Sequence, residues 1–318
     1  MRNKILEILQ STNEYISGED LSRRLGISRA GIWKHMKKLK SEGYEIVSVT
    51  NKGYHLSATP DAISSDAVSA QLNTRFIARN ILCLNETDST NEEAKRNSKM
   101  PDGTLFVSDI QTTGKGRLGR SWSSPRGTGI WMSLLLKPDI ALAEAAQITL
   151  IAGIAVCRAV GHGAKIKWPN DIVIGSRKVC GILTEMSAEI DRINYVICGI
   201  GINVNTTSFP EDLKDKATSL LIETNLKTPR AELTAAVMNE FEPLYDVFIK
   251  KGFGALRDQY RRECITLDRD IQVIYRRETV TGRAVDIDSD GGLVVKTDSG
   301  TITVTSGEVS VRGIYGYI

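Results

Sequence analysis

Lys165-Ile166-Lys167-Trp168-Pro169-Asn170-Asp171-Ile172-Val173-Ile174-Gly175-Ser176-Arg177-Lys178-Val179-Cys180-Gly181-Ile182-Leu183-Thr184-Glu185 decides the fold. A strand runs into Pro169, which cannot continue a regular ladder, and Asn170-Asp171 sit where the chain turns. Ile172 to Ile174 resume a strand, Gly175-Ser176-Arg177 turn, and Lys178 to Glu185 form the next; Asn194 to Asn205 supply another. Returns this short make hairpins. The spacing therefore predicts a mixed or mostly antiparallel sheet with helices on one side, without the βαβ rhythm of a doubly wound fold. Gly199 and Gly201 alternate with isoleucines, so one strand face is bare and open to a ligand or another backbone. Lys178 begins an otherwise apolar strand, either as an edge lysine or as a cation aimed into a site.

On the amino-terminal side, Asn80 to Cys83 reads as a strand, and Asp88-Ser89-Thr90-Asn91 leads into a helix near Glu92. Four small polar side chains at such a junction either cap the helix or face a polar ligand. Thr104 to Ile110 is a strand that delivers Gln111-Thr112-Thr113-Gly114-Lys115-Gly116-Arg117-Leu118-Gly119-Arg120-Ser121-Trp122. Its glycines let the backbone approach a ligand closely, and Lys115, Arg117 and Arg120 suit oxyanions. It lacks the GxxxxGK[ST] spacing of a Walker A loop. The segment is a solvated basic turn or a loop that orders around a polyanion, and phosphate binding is the working reading. Thr128 to Leu136 is a further strand, and Ala141 to Val160 an apolar helix packed across the sheet.

On the carboxy-terminal side, 206–228 is polar and turn-rich, and two helices follow, Arg230 to Lys250 and Phe253 to Cys264. From Ile265 the apolar period becomes two, in five short segments separated by glycine turns, which reads as a small SH3-type barrel.

Residues 1–60 read as a winged helix-turn-helix. Ile5, Leu6, Ile8 and Leu9 mark a first helix; Ser17 caps and Gly26 ends a second; Ser28 caps a third carrying Arg29, Lys34, Lys37, Lys38 and Lys40, with no acid from Ser28 to Ser41. Tyr44 to Leu56 forms the hairpin wing. Ser28, Arg29, Lys34, Lys37 and Lys38 are the expected DNA contacts, and specific repression then needs a dimer on a two-fold site. A linker is expected over 57–70, giving domains at 1–60, 61–264 and 265–318 in an α+β chain.

Composition narrows the rest. The 318 residues carry 41% hydrophobic and 25% charged side chains and a net charge of +3, as in an ordinary globular protein. No apolar run of eighteen residues or signal-peptide pattern is seen, so neither membrane span nor export is expected. Five scattered cysteines without CxxC spacing suit reduced core positions in the cytoplasm. Three dispersed histidines give no zinc set.

Several of these stretches resemble one family. Lys167-Trp168-Pro169-Asn170-Asp171 is identical to the KWPND motif of biotin protein ligases, and Gly114 to Arg120 resembles their GRGRxGR loop. Arg177 to Glu185 is similar to RKxxGILxE, Gly199 to Asn205 to GIGxNVN, and Asp88 to Asn91 to DSTN. With the amino-terminal winged helix, the resemblance covers essentially the whole chain and indicates the bifunctional type, a class II synthetase-like ligase that also represses biotin genes. It implies that ATP, with Mg²⁺, and biotin form biotinyl-5′-AMP, which acylates a lysine of the biotin carboxyl carrier protein of acetyl-CoA carboxylase. It implies equally that the adenylate is the corepressor that promotes a homodimer on operator DNA. The resemblance places biotin on Ser89, Thr90, Asn91, Gln111, Lys115, Gly116, Arg117, Lys178 and Gly181. It places ATP and adenylate on Gly114, Lys115, Arg117, Arg120, Trp122, Asn170, Asp171, Asn203 and Arg312, with Lys178 and Arg117 as the catalytic cations. No protein ligand for a metal is assigned beyond Mg²⁺ carried on ATP. Lys115 stands where the family usually has arginine; charge is kept but the bidentate fork is lost, so looser retention of the adenylate is expected. A lipoate or octanoyl transferase shares the fold, but KWPND and the two extra domains argue against it. A sensor without catalysis needs no leaving-group cation.

Overall fold

The computed structural model describes residues 1–41, 44–58, 61–275, 278–306, 310–313 and 318. They fall into two units, Met1–Asp61 and Ala62–Ile318. In the first, helices α1 (Arg2–Gln10), α2 (Gly18–Leu25) and α3 (Arg29–Ser41) precede a hairpin of β1 (Glu45–Val49) and β2 (Gly53–Ala58). The Ser17 hydroxyl accepts the Asp20 amide at the start of α2, and Gly26 ends that helix at φ 67°, the left-handed region that glycine enters without a Cβ clash. Ser28 accepts the Gly31 amide at 3.2 Å and caps α3. Leu9, Leu21, Ile32, Met36, Leu39 and Ile46 close this unit's core. The opposite face of α3 is left exposed, with Arg29, Lys34, Lys37 and Lys38 on it.

The stretch expected as linker is partly built. Ser57 and Ala58 finish β2, and α4 (Ser65–Ser69) follows, capped by Ser64 and seated by buried Val68. Thr59 and Pro60 lie outside the described residues.

The second unit is organised by a seven-stranded sheet. Its strands are β3 (Ile81–Leu84), β4 (Thr104–Ser108), β5 (Gly129–Leu136), β6 (Lys165–Lys167), β7 (Asp171–Ile174), β8 (Arg177–Ala188) and β9 (Ile193–Asn203), in the order β3-β4-β5-β9-β8-β7-β6. β3 and β4 are parallel and every other pair is antiparallel. This is the mixed sheet that the short returns predict.

Alternation along the central strands separates two faces. Ile130, Met132 and Leu134 of β5, with Cys198, Ile200 and Ile202 of β9, enter the main core with α6 (Gln147–Val160) and α8 (Arg230–Lys251). α6 buries every residue but Arg158 and Ala159. The span Leu142–Val160 is long and apolar enough by composition to cross a membrane; here α6 within it is buried in the core.

Helices are not confined to that side. α5 (Thr90–Arg96) lies on the other face, where Ala94 packs with Phe106, Leu135 and Ile197. The turn-rich 206–228 likewise contains α7 (Leu220–Thr224), capped by Ser219. The small satellite core under α5 leaves the rest of that face, with Gly181, Gly199 and Gly201, available for a site.

After α9 (Arg257–Glu263) come β10 (Asp270–Ile274), β11 (Thr279–Ile287), β12 (Leu293–Thr297), β13 (Gly300–Val304) and β14 (Ser310–Gly313). They form an antiparallel sheet in the order β13-β12-β11-β10-β14. Trp168 ties this sheet to the central one, its amide donating to Thr266 Oγ1 at 2.9 Å and its indole to the Gly291 carbonyl at 3.0 Å. Val309 of the expected last segment, with Gly307 and Glu308, lies outside the described residues.

Candidate active site

An open cleft lies on the sheet face beside α5. Ser89, Thr90, Asn91 and Gln111 line it from one side; Lys115, Gly116, Arg117 and Trp122 from the loop; Asn170, Lys178 and Gly181 from the strands. Gly114, Arg120, Asp171, Asn203 and Arg312 do not border it.

The polar wall is held by its own hydrogen bonds. The Thr90 amide donates to Gln111 Oε1 at 2.8 Å, and Gln111 Nε2 donates to Ser124 Oγ at 2.7 Å. Ser133 Oγ lies 2.7 Å from Thr90 Oγ1 and 2.5 Å from Asn91 Oδ1, and Asn91 Nδ2 donates to Glu185 at 2.8 Å. Ser89 occupies the cap position of α5 without a side-chain cap bond, while its amide donates to Asp88 Oδ1 at 2.7 Å. Its buried hydroxyl is thus not spent on the helix end, which weighs against capping as the reason for this residue.

The floor is made by absent side chains. A Cβ on Gly201 would come within 2.6 Å of Trp122 Nε1, and one on Gly181 within 2.9 Å of the same indole and 3.0 Å of Lys178 Nζ. Trp122 lies edge-on to Trp131, ring centres 6.5 Å apart. Its indole N–H is buried and has no hydrogen-bond partner among the described residues.

Three cations meet over this floor. Lys178 Nζ lies 2.5 Å from Asp171 Oδ1 and 5.0 Å from the Trp122 ring centre. The β8 strand start is not a free edge, because the Lys178 amide donates to the Lys216 carbonyl at 2.7 Å and its carbonyl accepts from Thr218 at 2.8 Å. This removes the edge-lysine reading of Lys178. Arg117 donates to Asn170 Oδ1 at 2.9 Å and to the Ser306 carbonyl. Burial weakens its proton affinity, partly offset by Asp171. Lys115 Nζ lies 2.5 Å from Glu92 Oε1.

The remaining residues have other surroundings. Gly114 packs beneath the Trp122 carbonyl, and Asn203 is buried with Nδ2 donating to the Thr218 carbonyl at 3.1 Å. Arg120 is exposed and acts on Arg117 through space. Arg312 is exposed on β14, opposite Gln272, and is close enough to depress Lys167. Lys167 opens the KWPND motif but carries no site role from it: it is only 6% exposed, faces Asp171 across the β6–β7 hairpin, and burial pushes its ammonium down to about 8. Glu185 closes the RKxxGILxE stretch but carries no site role there, and Ser133 is missed because a lone serine in a strand has no distinguishing pattern. On α3, the missed residue is Trp33, 59% exposed with Lys37 Nζ 5.5 Å from its ring.

Comparison with known proteins agrees with this geometry. Residues 82–203 match the Biotin/lipoate A/B protein ligase family, residues 1–55 an HTH domain and residues 266–312 the Biotin protein ligase C terminal domain. The chain is 38% identical over 320 residues to the Bifunctional ligase/repressor BirA of Bacillus subtilis, covering 98% of each. It is 28% identical to the protein of that name in Escherichia coli, covering 97% of this chain and 96% of that one. Among solved structures, a biotin protein ligase from Aquifex aeolicus in complex with biotin and ATP superimposes with a TM-score of 0.66 at 32% identity, over 74% of this chain and 99% of that one. Two ligase modules, an amino-terminal helix-turn-helix and a relative alike from end to end leave one assignment: this chain belongs to the bifunctional ligase/repressor family of biotin protein ligases.

Proposed function

We propose that the cleft makes biotinyl-5′-AMP from biotin and ATP, that it passes biotin to a lysine of a biotin carboxyl carrier protein, and that the same adenylate turns the amino-terminal unit into a repressor of biotin genes. In the first step a carboxylate oxygen bonds to the α-phosphorus, and the bond to the β-phosphate oxygen breaks to release pyrophosphate. In the second, the carrier amine attacks the acyl carbon, an amide forms, AMP departs and the ammonium proton goes to solvent. Both steps load negative charge onto phosphate oxygens, which positioned cations stabilise.

The convergence of Lys178, Arg117 and Lys115 on a cleft with a polar wall and a glycine floor carries this reading. Ser89, Thr90, Asn91 and Gln111 take the polar head of biotin. Lys178 takes its carboxylate and the α-phosphate, and Arg117 the phosphates. Gly116 and Gly181 leave room for the chain of biotin, while Gly114, Arg120, Trp122, Asn170, Asp171, Asn203 and Arg312 serve the nucleotide. Mg²⁺ enters on ATP and would be held there by the phosphates, since Asn170 Oδ1 and Asp171 Oδ1 already face Arg117 and Lys178.

The domain limits 1–60, 61–264 and 265–318 are part of this reading, with the last module as an SH3-type barrel, supported by its five-strand antiparallel order. So is a homodimer stabilised by the adenylate, since a loop that orders around ligand couples two sites by linkage. Five cysteines, all free thiols, support a reducing cytoplasmic setting.

Incubating the purified chain with biotin and MgATP and weighing the complex by native mass spectrometry tests the reaction. A bound acyl-adenylate with release of one pyrophosphate is expected; nucleotide or biotin bound singly, with no pyrophosphate, would refute it. A gel shift on the organism's biotin-gene promoter tests repression, with biotin and ATP together strengthening the shift.

A further inference from the structure

The loop lysine that replaces the family's usual arginine has a partner outside the loop. Lys115 Nζ lies 2.5 Å from Oε1 of Glu92, in the first turn of α5. The same oxygen accepts Lys95 at 2.8 Å, Lys95 reaches Glu185 of β8 at 2.7 Å, and the other Glu185 oxygen accepts from Asn91 at 2.8 Å. Lys115 and Asn91 both border the cleft, so a chain of alternating charges runs from its roof to its wall. Lys115 is the leading cause that holds the Glu92 carboxyl below its usual range, followed by Lys95. An ammonium places its charge on one atom and suits this single-oxygen contact, whereas a guanidinium would spread over two.

Backbone contacts inside the segment, from Gly116 to the Arg120 carbonyl at 2.7 Å and from Trp122 to the Gly114 carbonyl at 2.7 Å, fix its shape rather than its seat. Its stem is held by the Thr112 and Thr113 amides on the Thr87 and Asp88 carbonyls, each at 2.9 Å; beyond that stem the seat comes from side chains that leave it. Arg117 reaches Asn170 and Ser306 on one side of the cleft, and Lys115 reaches α5 on the other.

We propose that Glu92 is a positioning residue for this site. By holding Lys115 it keeps the segment 114–121 seated across the cleft and slows escape of the acyl-adenylate. The inference rests on the ligase reading above. Side-chain exposures of 47% for Lys115 and 27% for Glu92 make the pair open to salt, and a half-exposed pair supports about a threefold effect on release.

The test is a chase of labelled biotinyl-adenylate from the full chain, comparing wild type, Glu92→Gln, Lys115→Met, the double variant and Lys95→Met, each checked for an unchanged thermal midpoint. Glu92→Gln and Lys115→Met should each speed release about threefold, with the double variant no faster than either. Added salt should speed release from wild type by a larger factor than from Glu92→Gln, and Lys95→Met should stay near wild type. Unchanged release in Glu92→Gln overturns the proposal. So do additive single effects, or a Lys95→Met variant that matches Glu92→Gln, because Glu92 would then act through the strand and not the loop. A wild-type chain that forms no adenylate sinks the ligase reading first, and this proposal with it.

Discussion

Lys178 Nζ sits 2.5 Å from the carboxylate of Asp171, seven residues earlier on the neighbouring strand. The pair presents a lysine whose charge is balanced and whose direction is set before any substrate arrives. Arg117 is anchored in a comparable way by Asn170. Removing a positioned cation at a centre of developing charge costs on the order of 10²–10³ in rate. Lys178→Ala and Arg117→Ala should therefore each lower carrier biotinylation by about a hundredfold or more with far-UV circular dichroism unchanged. Folded variants working at the wild-type rate would remove both residues from the chemistry.

The indole of Trp122 rests where a side chain on Gly201 would need to be. Gly201→Ala has to push the ring aside or distort β9, and overpacking of that kind costs about 1–3 kcal/mol. Loss of ligase activity by at least about tenfold is expected, together with a shift in tryptophan emission as the ring moves. An active variant with an unaltered spectrum would show that the floor has slack.

Lys167 has a signature in pH. Burial pushes its ammonium down to about 8, with Lys178, Arg312 and Arg120 adding to the effect and Asp171 opposing it. Between about 8 and the ordinary lysine value of 10.5, the unfolded chain holds a proton that the folded chain has released. Stability from this group therefore rises with pH across that window, and below it the full cost of the buried charge is present. The span amounts to about 3 kcal/mol at most. In urea unfolding, the stability of wild type minus that of Lys167→Met should climb by roughly 1–3 kcal/mol from pH 8 to 10. A flat difference would mean that the ammonium is not disfavoured where it lies.

Salt should distinguish the lysines of α3 from the rest of the surface. Lys34 and Lys37 are exposed opposite the buried Ile32, Met36 and Leu39, where a duplex phosphate backbone would lie. Lys34→Ala and Lys37→Ala should each weaken promoter binding and lower the slope of log affinity against log salt by about 1. Lys251→Ala, at the end of α8, serves as the control. A full slope after both changes would move DNA contact elsewhere.

Much of this was legible in the residues. The hairpin spacing from Lys165 to Asn205 predicts the sheet, because a proline and short glycine turns leave no room for crossover helices. Ser17, Gly26 and Ser28 mark helix ends through local chemistry, and the structure keeps all three. The DSTN segment, the glycine-rich loop and Lys178 do converge on one cleft. What was not legible depends on contacts between distant strands. α5 crosses to the other face because Ala94 finds Phe106, Leu135 and Ile197 there, a match that no single segment displays. Glu92, Glu185 and Ser133 earn their places from neighbours 23 to 94 residues away. Asn203, which the resemblance assigns to the nucleotide, also donates to the Thr218 carbonyl, a contact that its motif does not display.

Since β9 offers the cleft only hydrogen atoms at Gly199 and Gly201, the opposite wall decides which guests fit. Substitution can make that base thicker but never deeper. A variant meant to admit a bulkier acyl chain has to be carved out of Asn91 or Trp122, and a change of appetite in this enzyme should be sought there.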